Sequence, residues 1–134
     1  MIGARNVFHP DPTDAGALVR KASAYRATVI PATPTFFNFL LDKAKPGDLD
    51  SARSIVLGAE KCPDAIFEKA AKLAPKAAVQ EGYGITECSP VVAVNPPDAV
   101  VRGTIGLPVV GVELCVRDLE SDAVLPHGKR GMLH

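Results

Sequence analysis

Tryptophan is absent, methionine occurs twice, and the aromatic residues (five Phe, two Tyr) make up only 5% of the 134 residues. Charge of one sign is also missing: 15 basic residues face 15 acidic ones. There is no basic surplus to attract nucleic acid and no acidic excess of the disordered kind. No apolar run approaches the ~20 residues that cross a bilayer. The start, Met1-Ile2-Gly3-Ala4-Arg5, lacks the long apolar stretch of a secretory leader. The three cysteines, Cys62, Cys88 and Cys115, are too few and too widely spaced for a disulfide framework or a CxxC metal pair. They read as small buried or half-buried residues of a reducing, cytoplasmic compartment.

What is present is an apolar fraction of 47%, enough for a globular core, punctuated by 11 Gly and 12 Pro without a period. Asn6–His9 is a short apolar start before Pro10 and Pro12. Thr13 is placed to cap a helix through Leu18, Ala22 and Tyr25, and 27–31 (ATVIP) is β-rich. Thr33-Pro34 is a cap followed by proline at the first helical position. Phe36, Phe37, Leu40, Leu41 and Ala44 then form one apolar stripe ending before Pro46-Gly47. Residues 54–58 (SIVLG) read as a buried parallel strand. Pro63 opens a helix with Ile66, Phe67, Ala70, Leu73 and Ala74 inward, and Pro75 closes it; 77–81 is the next strand. This βαβαβαβ rhythm predicts an α/β fold with an open, mainly parallel sheet flanked by helices.

The pattern changes after Asn95-Pro96-Pro97. Val112, Leu114 and Val116 alternate with Glu113, Cys115 and Arg117, a half-buried strand, and Val124-Leu125 begins a return strand. Residues 1–97 therefore read as a partial α/β subdomain and 98–134 as the first strands of a β-barrel-like subdomain. An unpaired edge near Val124 or Leu133 invites pairing with a second chain.

Ligands of open parallel sheets bind beyond the carboxyl ends of the strands. Two such ends carry unusual residues: Gly58-Ala59-Glu60-Lys61 and Glu81-Gly82-Tyr83-Gly84-Ile85-Thr86-Glu87. The glycines permit close approach to the backbone, Tyr83 offers a flat face, Thr86 a hydroxyl, and Glu87 an oxygen suited to a hard cation. Together they suit a nucleotide with a metal-bound phosphate. Each also has a plainer reading, as turn glycine, packing tyrosine or capping threonine. His9, His127 and His134 have no metal spacing and read as solvent-facing, Cys88 reads as packing, and Lys61 as a solvated lysine.

The string GYGITE (82–87), downstream of GAE (58–60), resembles the adenylate-forming, AMP-binding superfamily. So do the glycine-rich stretch Gly103-Thr104-Ile105-Gly106-Leu107-Pro108 with Gly111, and the turn Gly128, Arg130, Gly131. Within it, GAEKCP and GYGITECSPVVAVNPP look most like bacterial acyl–acyl-carrier-protein synthetases, including the synthetase half of 2-acylglycerophosphoethanolamine acyltransferases, with long-chain fatty acid–CoA ligases as near neighbours. The resemblance implies that Gly58, Ala59 and Glu60 border adenine on one side, and Glu81, Gly82 and Tyr83 on the other. Gly82, Gly84 and Ile85 would border the acyl pocket. Thr86 would hydrogen-bond the α-phosphate and Glu87 would hold magnesium; these two are the catalytic candidates.

The implied reaction uses ATP and Mg²⁺ to convert a fatty acid to acyl-AMP, then transfers the acyl group to a thiol of CoA or of an acyl carrier protein's phosphopantetheine arm. The family's Ser/Thr/Gly-rich phosphate loop, its ribose-binding aspartate and its C-terminal lysine have no match in these residues. Met132 replaces the usual glutamate, and Cys62 a leucine or methionine. The expectation is an internal fragment, inactive alone, of a cytoplasmic enzyme that could associate with a membrane. Two alternatives stay open: a non-catalytic nucleotide-binding or structural module, and an adenylating enzyme for an aryl or amino acid.

Overall fold

The computed structural model describes residues 3–134; Met1 and Ile2, read above as part of a leaderless start, lie outside the described residues. The elements in chain order are α1 (Ala15–Ala24), β1 (Val29–Ala32), α2 (Pro34–Lys43), β2 (Ser54–Leu57), α3 (Asp64–Leu73), β3 (Ala78–Gly84), a 3₁₀ turn (Thr86–Cys88), β4 (Val91–Val94), β5 (Leu107–Pro108), β6 (Val116–Arg117) and β7 (Met132–Leu133). Strands β1 to β5 form one sheet in sequence order, and β6 pairs with β7.

The parallel part is β1-β2-β3, with Val29 beside Ser54 and Ser54 beside Ala78. Helices α2 and α3 make the crossovers, as the alternating pattern predicts. Asn6–His9 forms no strand, so the parallel run starts at β1. Proline at position 31 is tolerated because β1 is an edge. The Thr28 and Ala32 carbonyls accept from Arg53 N and Gly58 N of the β2 side, so the backbone groups of Pro31 point outward by alternation. After β3 the direction reverses. The connection at residues 85–90 is too short for a crossover, and β4 runs antiparallel to β3, as β5 does to β4. Strands β4 and β5 lie outside the sequence expectation, and Leu107–Pro108 joins the first sheet despite following Asn95-Pro96-Pro97.

One apolar cluster unites Val19 of α1, Phe37, Leu40 and Leu41 of α2, Ile66, Phe67 and Ala70 of α3, and Ile55 and Leu57 of β2. Helix α2 begins as its sequence predicts: Thr33 Oγ1 accepts from Phe36 N, and Pro34 holds the first helical position. Its buried stripe is narrower than expected. Phe37, Leu40 and Leu41 point inward, but Phe36 is exposed and stacks edge-on with Phe39 at 6.3 Å. Helix α1 corrects the expected cap. Thr13 gives its hydroxyl and backbone N–H to Asp11 Oδ1, and Asp14 Oδ1 accepts from Ala17 N instead. Tyr25 falls just past the end of the helix.

The carboxyl-terminal segment is less regular than the alternation from Val112 predicts. Only Val116–Arg117 is strand, paired with Met132–Leu133 and extended by reciprocal bonds between Cys115 and His134. Val124 makes an isolated bridge to Arg117. Two short strands close no barrel.

The cysteines are free and fall into three environments. Cys62 lies in the core cluster, where burial, then the carboxylates of Glu81 and Asp64, push its thiol up to about 11 against the opposing pull of Arg102. Cys115 is half-buried. Cys88 is exposed, which corrects its reading as a packing residue: the 3₁₀ turn that carries it buries none of its residues.

Two outcomes follow from this packing. Truncating Phe37 to alanine should cost about 3–5 kcal/mol of stability, against less than about 1 kcal/mol for Phe36→Ala, as read from chemical denaturation midpoints. At pH 8, a thiol of pKa near 11 is about one part in a thousand thiolate, so Ellman's reagent should titrate Cys88 quickly in the native chain and Cys62 only after denaturant is added.

Candidate functional site

Parallel pairing of β2 with β3 sets Leu57 beside Glu81, so the next residues, Gly58 and Gly82, emerge side by side at the carboxyl edge of the sheet. A Cβ on Gly58 would sit 3.4 Å from the Gly82 carbonyl oxygen, and one on Gly82 would lie 3.2 Å from the Ala93 carbonyl oxygen. Both strand ends singled out in the sequence are thus brought to one place. Ala59 follows with φ +69°, in the left-handed region that L-residues rarely occupy. Glu60 is exposed, and its Oε2 accepts a 2.6 Å hydrogen bond from Thr35 Oγ1 at the start of α2. A groove of about 320 Å³ opens beside this turn between α2 and α3, lined by Thr35, Asn38, Phe39, Glu60, Lys61 and Ile66 among others. Lys61 is exposed, as expected.

Strand β3 carries the other half. Tyr83 is exposed beside Ala93, and the ladder shifts register between Tyr83 and Gly84. Only glycine fits at position 84, where a Cβ would fall 1.8 Å from the Pro90 carbonyl oxygen. That close approach turns the chain so that Ile85, Thr86 and Glu87 project into solvent, with Ser89 at φ +63° ending the 3₁₀ turn. The Thr86 and Glu87 side chains do not line the α2–α3 groove.

Glu81 behaves differently from its exposed neighbours. It is buried, and its Oε2 accepts from Gly103 N at 2.6 Å, so its carboxylate grips the glycine-rich stretch. Beside it lies a residue the sequence reading missed. Asn95 is 1% exposed, and its amide donates to the carbonyls of Glu81 (3.0 Å) and Thr104 (2.9 Å) while Oδ1 accepts from Val101 N (2.9 Å). Gln80, also buried, donates to the Asn95 carbonyl and accepts from the Ser54 hydroxyl. A polar residue closing the apolar run 91–94 was the available signal, since a buried amide must find partners. Gly106 completes the seam at φ +82°, with its backbone against Val94 and Asn95. Arg102 lies over the Phe67 ring at 4.5 Å.

His127 and His134 are exposed. His9 departs from the expected solvent-facing position: its ring nitrogens are shielded and unpartnered, with Nε2 3.8 Å from Asp14 Oδ2. Among the described residues no cluster of three or more His, Cys, Asp or Glu is grouped to enclose a metal. A lone exposed carboxylate such as Glu87 fits magnesium, which keeps several waters and binds through one or two carboxylates plus substrate phosphates. Two glycines without side chains, an aromatic face, a hydroxyl and a carboxylate follow one another at this sheet edge. Among the described residues no helix is long and apolar enough to cross a membrane.

Residues 1–134 match the family described as AMP-binding enzyme. The chain is 37% identical over 135 aligned residues to a long-chain-fatty-acid–CoA ligase of Yersinia pestis, covering 98% of this chain and 24% of that protein. It is 35% identical to the corresponding ligase of an Escherichia coli strain, with the same coverage. Among solved structures, a benzoate CoA ligase from Burkholderia xenovorans superposes with TM-score 0.85 at 27% identity, over 98% of this chain and 27% of that one. A long-chain-fatty-acid–CoA ligase from Archaeoglobus fulgidus superposes with TM-score 0.77 at 25% identity, over 90% and 26%. The chain thus spans about a quarter of the length of the curated relatives it matches. Over that span, by sequence and by fold, it belongs to the AMP-binding enzyme family.

Proposed function

We propose that these residues form part of an ATP-dependent ligase that activates a fatty acid as acyl-AMP and passes the acyl group to a thiol. The observation that carries this reading is the convergence of Gly58-Ala59-Glu60 and Gly82-Tyr83-Gly84 at adjacent strand ends, followed at once by exposed Thr86 and Glu87. The fatty substrate and CoA as acceptor are favoured by the names of the relatives at 35–37% identity. A carrier-protein pantetheine arm would present the same thiol.

In this reading the adenine lies between the turn at Gly58, Ala59 and Glu60 and the strand end at Glu81, Gly82 and Tyr83, with the Tyr83 ring against its face. Glu81 contributes backbone atoms, because its carboxylate is engaged by Gly103. Gly82, Gly84 and Ile85 border the acyl chain. The fatty carboxylate attacks the α-phosphorus; a P–O bond forms to the carboxylate oxygen as the bond to pyrophosphate breaks. The thiol sulfur then attacks the acyl carbon and AMP leaves. The Thr86 hydroxyl donates to the α-phosphate oxygen, where negative charge grows in the transition state. Magnesium, when bound, neutralises phosphate charge, and Glu87 is the residue that would hold it.

Glu87→Gln keeps the shape and removes the charge. In the intact enzyme it should lower fatty-acid-dependent ATP–pyrophosphate exchange by about 10²-fold or more. Exchange at the wild-type rate would refute the role given to Glu87. The isolated 134 residues, which carry no Gly/Ser/Thr-rich phosphate loop ending in lysine, should show no exchange above background in the same assay.

A further inference from the structure

We propose that Thr35 is a positioning residue for the turn Gly58–Glu60, holding it in the shape that receives the base; this rests on the acyl-adenylating reading above. The turn leaves β2 tied at only two points. Gly58 N donates to the Ala32 carbonyl at 3.2 Å, and Cys62 is buried in the core. Between these anchors Ala59 adopts φ +69°, a left-handed conformation that is strained for an L-residue. Ala59, Glu60 and Lys61 are all exposed, so packing does not hold them. Helix α3 gives little help, because its cap residue Pro63 makes no side-chain capping bond.

Thr35 supplies the missing constraint. Its Oγ1 donates to Glu60 Oε2 at 2.6 Å, the short range of a hydroxyl bonded to a carboxylate. Twenty-five residues separate the partners, so the bond ties the first turn of α2 to the β2–α3 connection beside the α2–α3 groove. The donor stands on a rigid post. Thr33 caps α2, Pro34 fixes its first position, and Phe37, two residues beyond Thr35, is fully buried. A site residue held by a helix is positioned more sharply than one left to its loop. The bond makes no contact with reacting atoms, so its removal should weaken nucleotide binding and leave the chemical step intact.

The test uses the intact protein with Thr35→Val, which keeps the shape and deletes the hydroxyl, and Thr35→Ser, which keeps the hydroxyl. Hydrogen exchange of the Gly58 amide, which donates to the Ala32 carbonyl at the head of the turn, should accelerate about 3–10-fold in the valine variant and stay at the wild-type rate in the serine variant. In ATP–pyrophosphate exchange, the valine variant should raise KM for ATP about 3–10-fold with kcat within about twofold, and serine should restore KM. Unchanged exchange of the Gly58 amide in the valine variant, equal effects of valine and serine, or a fall in kcat at constant KM would each overturn the proposal. If the wild-type protein shows no exchange activity, the acyl-adenylating reading fails, and the amide rates alone decide whether Thr35 holds the turn.

Discussion

The amide of Asn95 is the constraint on which the candidate site depends. Water cannot reach it, so each of its polar atoms must be matched inside the protein, and all are. Its partners come from separate segments: the middle of β3 at Glu81, and the connection from Val101 to Thr104. A ladder bond joins only neighbouring strands; this side chain joins a strand to a loop. Breaking it leaves several buried groups unpaired at once, each costing about 1–3 kcal/mol. The position of Glu81, and with it the start of Gly82-Tyr83-Gly84, is therefore set from the far side of β4.

The same seam explains why its glycines are required. Gly84 lies against Pro90 and Gly106 against Val94 and Asn95, backbone on backbone, where a Cβ would overlap carbonyl or amide atoms. Such packing has few ways to adjust. It forces the chain to turn outward after β3, and that turn presents Thr86 and Glu87 to solvent. Gly58 and Gly82 are less crowded: a Cβ there would lie 3.4 and 3.2 Å from the nearest backbone oxygen. Their lack of side chains lets the neighbouring strand ends lie close together instead.

Much of the α/β layer was legible because periodicity and caps are local signals. Thr33-Pro34 and the spacing of Phe37, Leu40 and Leu41 located α2 almost to the residue. Phe36 was misassigned because hydrophobicity reports preference, and position on the helix decides burial. At α1 the Thr13 hydroxyl and N–H are both donated to Asp11, and the Asp14 carboxylate accepts from Ala17 N as the cap. The reversal at β4 was not legible, since a run such as VVAV reads the same in parallel and antiparallel pairing. In the site, the glycines and GYGITE were visible as a string. Asn95 was not, because one polar residue at a strand end has no period, and its meaning lies in groups up to 14 residues away.

That division between buried scaffold and exposed ends also makes electrostatic sense. A chain with 15 charges of each sign offers a triphosphate no general attraction, so recognition must come from local groups. Buried carboxylates are poor candidates, because keeping them charged demands fixed partners. Glu81 illustrates this: its partner is Gly103 N, and its carboxylate serves the fold. An exposed carboxylate such as Glu87 keeps its hydration and needs no fixed partner. The rigid seam beneath it fixes where that charge stands, and the exposed turn avoids the cost of burying it beforehand. Two carboxylates six residues apart thus take opposite roles from burial alone, one holding the backbone and the other left available for the proposed chemistry.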